Sequence, residues 1–211
     1  MLDVLIAGVG GQGSVLAAKI IAYTACDAGW QVRSAETIGM AQRGGSVTSH
    51  VRIGNEGEDV YAPLTPKGCA DVLIGLEPGE ALRSLPLLKP QGLLVCASTA
   101  IPSVASELAG DPYRTDVVID RLCEVPHHLI VDDHALCERI GGRKPLNVIM
   151  LAAAVQASLE SAACGDPCGF GELFTIDSLK VSLEHCVRER FIALNCSAVD
   201  ITAQAIPVTS A

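Results

Sequence analysis

Apolar residues in this chain gather in short unbroken runs, each closed by glycine, proline or acidic residues. Leu2, Val4, Leu5, Ile6 and Ala7 open the chain, and residues 70–76, 93–97 and 128–131 repeat the form. Runs of this length without alternation predict strands buried on both faces, as in a parallel sheet. Between them lie stretches with helical spacing: 14–29, 79–88, 116–125, 134–140, 145–163 and 177–194. Asp132 and Asp133 are cap candidates for the fourth, which stops at Gly141-Gly142. Pro145 suits the first turn of the fifth, which is nearly uncharged until Glu160. Residues 31–35 read as a weak strand and 89–92 as a turn. Residues 46–53 alternate instead, with Val47, Ser49, Val51 and Ile53 on one face and Thr48, His50 and Arg52 on the other. That predicts a half-buried strand, followed by a turn at 54–57 and a short returning strand at 60–62. The class is therefore α/β: a Rossmann-like, mostly parallel sheet with helices on both faces, a small antiparallel insertion and C-terminal helices. One domain spans 1–206, and 207–211 is a frayed tail.

The first strand runs directly into Gly8, Gly10, Gly11 and Gly13, and these into the first helix. Strand, glycine loop and helix in that order place backbone N–H groups at a helix N-terminus, where the orphan donors and the helix dipole favour an anion. Gly8, Gly10 and Gly13 fit G-x-G-x-x-G, which assigns Gly8 to a tight turn, Gly10 to close approach of a phosphate and Gly13 to helix packing. The alternative is a glycine turn that seats the helix on the sheet and binds nothing. Glu36 stands where a nucleotide-binding domain carries its ribose acid, but it leads into TIGMAQRGGS, an unusual continuation for such a strand. Within it, Arg43-Gly44-Gly45-Ser46 has the makings of a backbone nest with a cation beside it, suited to phosphate or carboxylate, or else of a plain surface loop.

Composition narrows this. The 211 residues are 49% hydrophobic and 18% charged, enough for one sizeable core. A net charge of −9 argues against nonspecific nucleic-acid binding. No apolar run reaches the ~20 residues of a membrane span, and no signal peptide is seen, so a cytoplasmic chain is expected. Nine cysteines include no C-x-x-C pair, and Cys164 and Cys168 share a Gly/Pro loop. This spacing is not that of a zinc ribbon or an iron–sulfur cluster. His127 and His128 lie at the opposite end of a strand from Asp132 and Asp133, which argues against a shared metal. No G-x-S-x-G, P-loop, H-E-x-x-H or paired-carboxylate pattern supplies catalysis.

GVGGQG at residues 8–13, then Glu36, then Arg43-Gly44-Gly45, the Val51-Arg52 strand, the Asp71-Val72-Leu73-Ile74 strand and Asn147 in the long apolar helix together resemble the gamma-type domain of 2-oxoacid:ferredoxin oxidoreductases, and among these the indolepyruvate type. The likeness covers about residues 1–195. It implies a subunit of an enzyme that oxidatively decarboxylates a 2-oxoacid, an indolepyruvate or arylpyruvate, to an acyl-CoA and passes electrons to ferredoxin. It implies no cofactor on this chain. Thiamine diphosphate and Fe-S clusters would sit on a larger catalytic partner, with CoA in the complete enzyme, and the isolated chain would be inactive or pair with itself. The residues expected to meet a ligand or a partner are Gly8, Gly10, Gly11, Gln12, Gly13, Glu36, Arg43, Gly44, Gly45, Ser46 and Asn147, with none catalytic. A free-standing NAD-binding enzyme and a noncatalytic scaffold that kept the fold remain as alternatives.

Overall fold

The computed structural model describes residues 1–39, 45–54, 57–102, 113–163 and 169–206. Among them, β1 (Leu2–Val9), β2 (Gln31–Ile38), β3 (Ser46–Gly54), β4 (Ala70–Gly75), β5 (Leu88–Ala97) and β6 (His127–Val131) form one sheet in the order β2-β3-β1-β4-β5-β6. β1, β4, β5 and β6 are parallel neighbours. β3 lies antiparallel between β1 and β2. The helices are α1 (Ser14–Asp27), α2 (Pro78–Ser84), α3 (Thr115–Leu122), α4 (Asp133–Ile140), α5 (Leu146–Ala163), α6 (Phe170–Leu173), α7 (Ile176–Cys186) and α8 (Glu189–Ala205).

Alternation of side chains along each strand divides the core in two. Val4 and Ile6 of β1 face a cluster with Val72, Ile74 and Val95, covered by α1, α5, α7 and α8. Leu5 and Ala7 face the other way, with Leu73, Leu94 and Cys96, toward α2 and α3. A strand that feeds both clusters must be apolar at every position, which is why these strands read as runs. The same reasoning applies to α5, whose Met150, Ala152, Ala153, Ala154 and Val155 are all fully buried. A helix apolar on every side is enclosed on every side.

The structure departs from the sequence reading in several places. Residues 89–92 are not a turn but the start of β5. Pairing with β6 begins only at Leu93, so Pro90 lies where its missing N–H breaks no ladder bond on that side. The helix expected through residue 88 ends at Ser84, and a single 3-10 turn over Leu85–Leu87 leads into β5. Residues 60–62 form no strand. The Val60 N–H goes to the Gln31 side chain at 3.4 Å, so this segment hangs on β2 without extending the ladder. The helix expected over 177–194 is two helices, because Val187 and Arg188 are both extended. Half-buried Val187 packs on the core at the break, and the second helix then crosses α5, where the Gln156 amide donates to the Ala203 carbonyl at 3.1 Å. β2 runs on through Ile38, so Glu36 lies in a strand and not at the start of a loop. On the polar face of β3, His50 is buried while Thr48 and Arg52 are half-buried. Cys164, Cys168 and the tail at 207–211 lie outside the described residues.

Candidate functional site

β1 and β4 are parallel neighbours, but the chain leaves β1 toward β2 and β3 on one side and returns to β4 on the other. Their carboxyl ends flank the topological switch point, where open α/β sheets place their ligands. Here Gln12 occupies that crevice. Its Oε1 accepts the Val9 N–H at 2.7 Å and its Nε2 donates to the Leu76 carbonyl at 2.7 Å. The Leu76 N–H reaches the Ala7 carbonyl at 2.7 Å, so the amide side chain seals the last rung between the two strands.

The glycines are explained by this clamp. Gly8 does not make a tight turn; it lies within β1, one residue before its end. A Cβ there would stand 2.7 Å from Gln12 Oε1 and 3.0 Å from Leu76 Cβ, so a side chain would evict the glutamine. Gly11 has φ +95° and faces open space. Gly13, at φ +86°, is the residue before α1, and a Cβ there would meet the Asn147 amide at 2.9 Å. Asn147, in the first turn of α5, donates to the Gly13 carbonyl at 3.2 Å and so ties the long helix to the loop. Gly10 contributes close approach, but to protein: its N–H donates to the Gly45 carbonyl at 2.9 Å. The two glycine-rich loops therefore meet. Ser46 continues the junction, opposite Val9 in the β1–β3 register and accepting the Gly39 N–H at 2.7 Å. Arg43 and Gly44 lie outside the described residues.

Glu36 is not brought to the glycine loop. Across the sheet it pairs with Ser49, and Ser49 with Ile6, so it stands two strands from β1. At about 4.8 Å per strand that is roughly 10 Å. The intervening β3 thus removes Glu36 from the place a dinucleotide's ribose needs an acid.

Two buried carboxylates at the same end of the sheet, Glu77 and Asp133, were not among the expected site residues. Glu77, following β4, caps α2 by accepting the Glu80 N–H at 2.8 Å; its other oxygen accepts from the Tyr113 hydroxyl at 2.7 Å and the Ile101 N–H at 3.3 Å. Burial, then the adjacent carboxylate, push the Tyr113 hydroxyl far above its usual range. Asp133, fully buried, accepts the Thr99 N–H at 2.9 Å and the Ser98 hydroxyl at 3.2 Å, and pairs with Arg143 at 2.9 Å. The sequence signal was an acid at the end of an apolar run, Glu77 directly after Leu76 and Asp133 one residue further after Val131, where Asp132 is the one that caps α4. Both buried acids are held as acceptors, which ties loops together and leaves no free base. Burial also pushes the Cys96 thiol up, so it packs as a hydrophobe. His50 is pushed down by burial, against a smaller opposing effect of Asp3, and its Nδ1 accepts the Thr65 N–H at 3.2 Å. Among the described residues no group of three or more His, Cys, Asp or Glu is placed to hold a metal ion, so an iron–sulfur cluster does not fit them. No helix among them is long and apolar enough to cross a membrane.

The sequence profile of the pyruvate ferredoxin/flavodoxin oxidoreductase family matches residues 3–205. The indolepyruvate oxidoreductase subunit IorB of Archaeoglobus fulgidus is 35% identical over 207 residues, which are 97% of this chain and 92% of that one. The fold is that of the gamma subunit of a keto/oxoacid ferredoxin oxidoreductase from Geobacter sulfurreducens, with a TM-score of 0.61 at 20% identity over 97% of each chain. It is also found in the 2-oxoglutarate:ferredoxin oxidoreductase of Magnetococcus marinus, solved with 2-oxoglutarate, coenzyme A and succinyl-CoA bound, with a TM-score of 0.66 at 18% identity. There the match covers 99% of this chain and 32% of the other. A match through both glycine loops, the interposed β3 and the last helices identifies the chain as a member of the pyruvate ferredoxin/flavodoxin oxidoreductase family, a subunit of a 2-oxoacid:ferredoxin oxidoreductase.

Proposed function

We propose that this chain is the smaller subunit of a cytoplasmic indolepyruvate-type ferredoxin oxidoreductase, which converts an aryl 2-oxoacid and CoA to the acyl-CoA and CO₂ while ferredoxin takes the electrons. The observation that carries the reading is the 35% identity to an indolepyruvate oxidoreductase subunit along nearly the whole of both chains. Thiamine diphosphate and Fe-S clusters belong, in this reading, to a larger partner subunit, where the former supplies the electron sink for decarboxylation. The part of this chain is to shape a binding edge. The junction held by Gly10 and Gly45 sets Gly11 beside the N-terminus of α1, and Arg43 stands two residues before Gly45 in the sequence. Anionic groups of substrate, CoA or the partner would meet donors there.

The test is an anaerobic affinity purification of the chain from its own cells, with native mass spectrometry. A larger subunit carrying thiamine diphosphate and Fe-S clusters is expected to come with it, and the complex to oxidise indolepyruvate in preference to pyruvate. A chain recovered alone or only as a homo-oligomer would overturn the reading. In the complex, Arg43→Ala is expected to raise KM for substrate or CoA without lowering the unfolding midpoint. Unchanged kinetics for both would remove the loop from ligand contact.

A further inference from the structure

Away from the switch-point crevice, a cavity of about 240 Å³ opens where α1, α5, α7 and α8 come together. Its apolar wall is Leu16, Val187, Phe191 and Leu194, and its polar wall is Asn147 and Asn195, with Lys144 at the rim. Three features of this place are independent of one another.

The first is helix direction. Leu16 lies in the first turn of α1, Asn147 in that of α5 and Phe191 in that of α8, so the positive ends of three long helices converge. Neither α1 nor α8 has a side-chain cap, which leaves first-turn N–H groups available to an outside acceptor. The second is charge. Lys144 Nζ lies 5.9 Å and the Arg190 guanidinium 4.7 Å from the centre of the same Phe191 ring. Arg188 precedes α8 beside them, and none of these three exposed cations has an ion-pair partner among the described residues. Glu189, in the first turn of α8, is the one acid between Arg188 and Arg190, so three cations stand with a single carboxylate in a chain of net charge −9. The third is a pair of incomplete amides. Asn147 is 3% exposed and Asn195 8%. Each donates its Nδ2 to a backbone carbonyl, of Gly13 and of Phe191. The Oδ1 of each has no partner among the described residues and is the acceptor left to offer to the cavity.

An anion alone would satisfy the cations and helix ends and leave the two amide oxygens unmet. A polypeptide segment satisfies all of them, with carboxylates on the cations, an apolar side chain in the cavity and backbone N–H groups on the amide oxygens. We infer that this cavity docks an acidic segment of the larger subunit, anchored by one apolar side chain against Leu16 and Phe191. This rests on the subunit reading above. The exposed position of the cations on the rim fits a surface-to-surface contact better than an enclosed small-molecule site.

The experiment uses both full-length subunits. The wild-type chain, the Lys144→Glu/Arg190→Glu double variant and a charge-matched control, Lys67→Glu/Arg139→Glu, are titrated against the purified larger subunit at two salt concentrations. Carbodiimide, which joins amines to carboxylates without a spacer, is then applied to the wild-type complex. The expected result is binding weakened roughly 10- to 100-fold in the Lys144/Arg190 variant, with unfolding midpoint unchanged and the control like wild type. A cross-linked peptide should join Lys144 to an Asp or Glu of the larger subunit. If the wild-type chain binds and the Lys144/Arg190 variant binds equally well, the docking inference fails while the subunit reading stands. It fails likewise if the control is as weak as the variant, since bulk charge is then the cause, or if Lys144 cross-links nowhere in the complex. If the wild-type chain does not bind the larger subunit at all, both fail.

Discussion

Gln12 shows how much one side chain can decide. It builds a structural clasp into a loop with the spacing of a nucleotide-binding motif, because one amide supplies both the acceptor for Val9 and the donor for Leu76. Gln12→Ala would strand a backbone donor and a backbone acceptor at once. A loss of about 1–3 kcal/mol is expected, the cost of leaving such groups without partners, and denaturant unfolding would measure it. Gln12→Glu separates clasp from volume: the carboxylate can still accept from Val9 but cannot donate to Leu76, so it should be nearly as damaging at neutral pH. Stability equal to wild type in both variants would remove the clasp. None of this is legible in a motif, since G-x-G-x-x-G says nothing about where the residue before its last glycine points.

At the scale of elements, β3 does the most. By inserting antiparallel between β1 and β2 it carries Glu36 two strands away and buries His50 under the segment that supplies Thr65. The alternation over 46–53 correctly announced a strand of a different kind from its neighbours. It did not announce burial of His50 on the polar face, because the segment carrying Thr65 is 15 residues away in sequence. His50 should make this measurable. Its folded pKa lies below the ordinary value of about 6.5. The unfolded chain therefore binds the proton first, and stability present above about pH 6.5 is lost as pH falls through and below that value. His50→Gln should flatten the slope of unfolding free energy over that window. An unaltered slope would place the linkage elsewhere. The split between α7 and α8 is the complementary case. Residues 177–194 hold no glycine or proline to stop a helix, and the break comes from packing, with Val187 on the core and α8 turned across α5.

For the whole molecule, the two-sided core and the assembly belong together. The sheet and its helices account for the stability of the chain, while three exposed cations and two amide acceptors remain at the cavity between α5 and α8. Binding there stabilises the folded state by mass action. With the larger subunit at about 100 times its dissociation constant the gain is about 2.7 kcal/mol. For a chain of this size that is an expected rise of roughly 5–11 °C in unfolding midpoint, by calorimetry of the mixture. A midpoint unchanged by saturating partner would mean that the folded chain has no preferential affinity for it.

What the amino-acid order determined by itself is what depends on near neighbours in the chain. The buried parallel strands are apolar runs, the first βα unit is a strand followed by glycines, the helix over 145–163 is apolar throughout, and the paired loop motifs at residues 8–13 and 43–45 carry the family. What the tertiary structure alone decided depends on partners far apart in sequence. Gln12 reaches Leu76, Asn147 meets Gly13, Gly10 finds Gly45, and β3 separates β1 from β2. Periodicity and spacing encode which residues are buried and which turn. They carry no record of which distant carbonyl a buried amide will face, and here that pairing adds a clasp to the glycine loop.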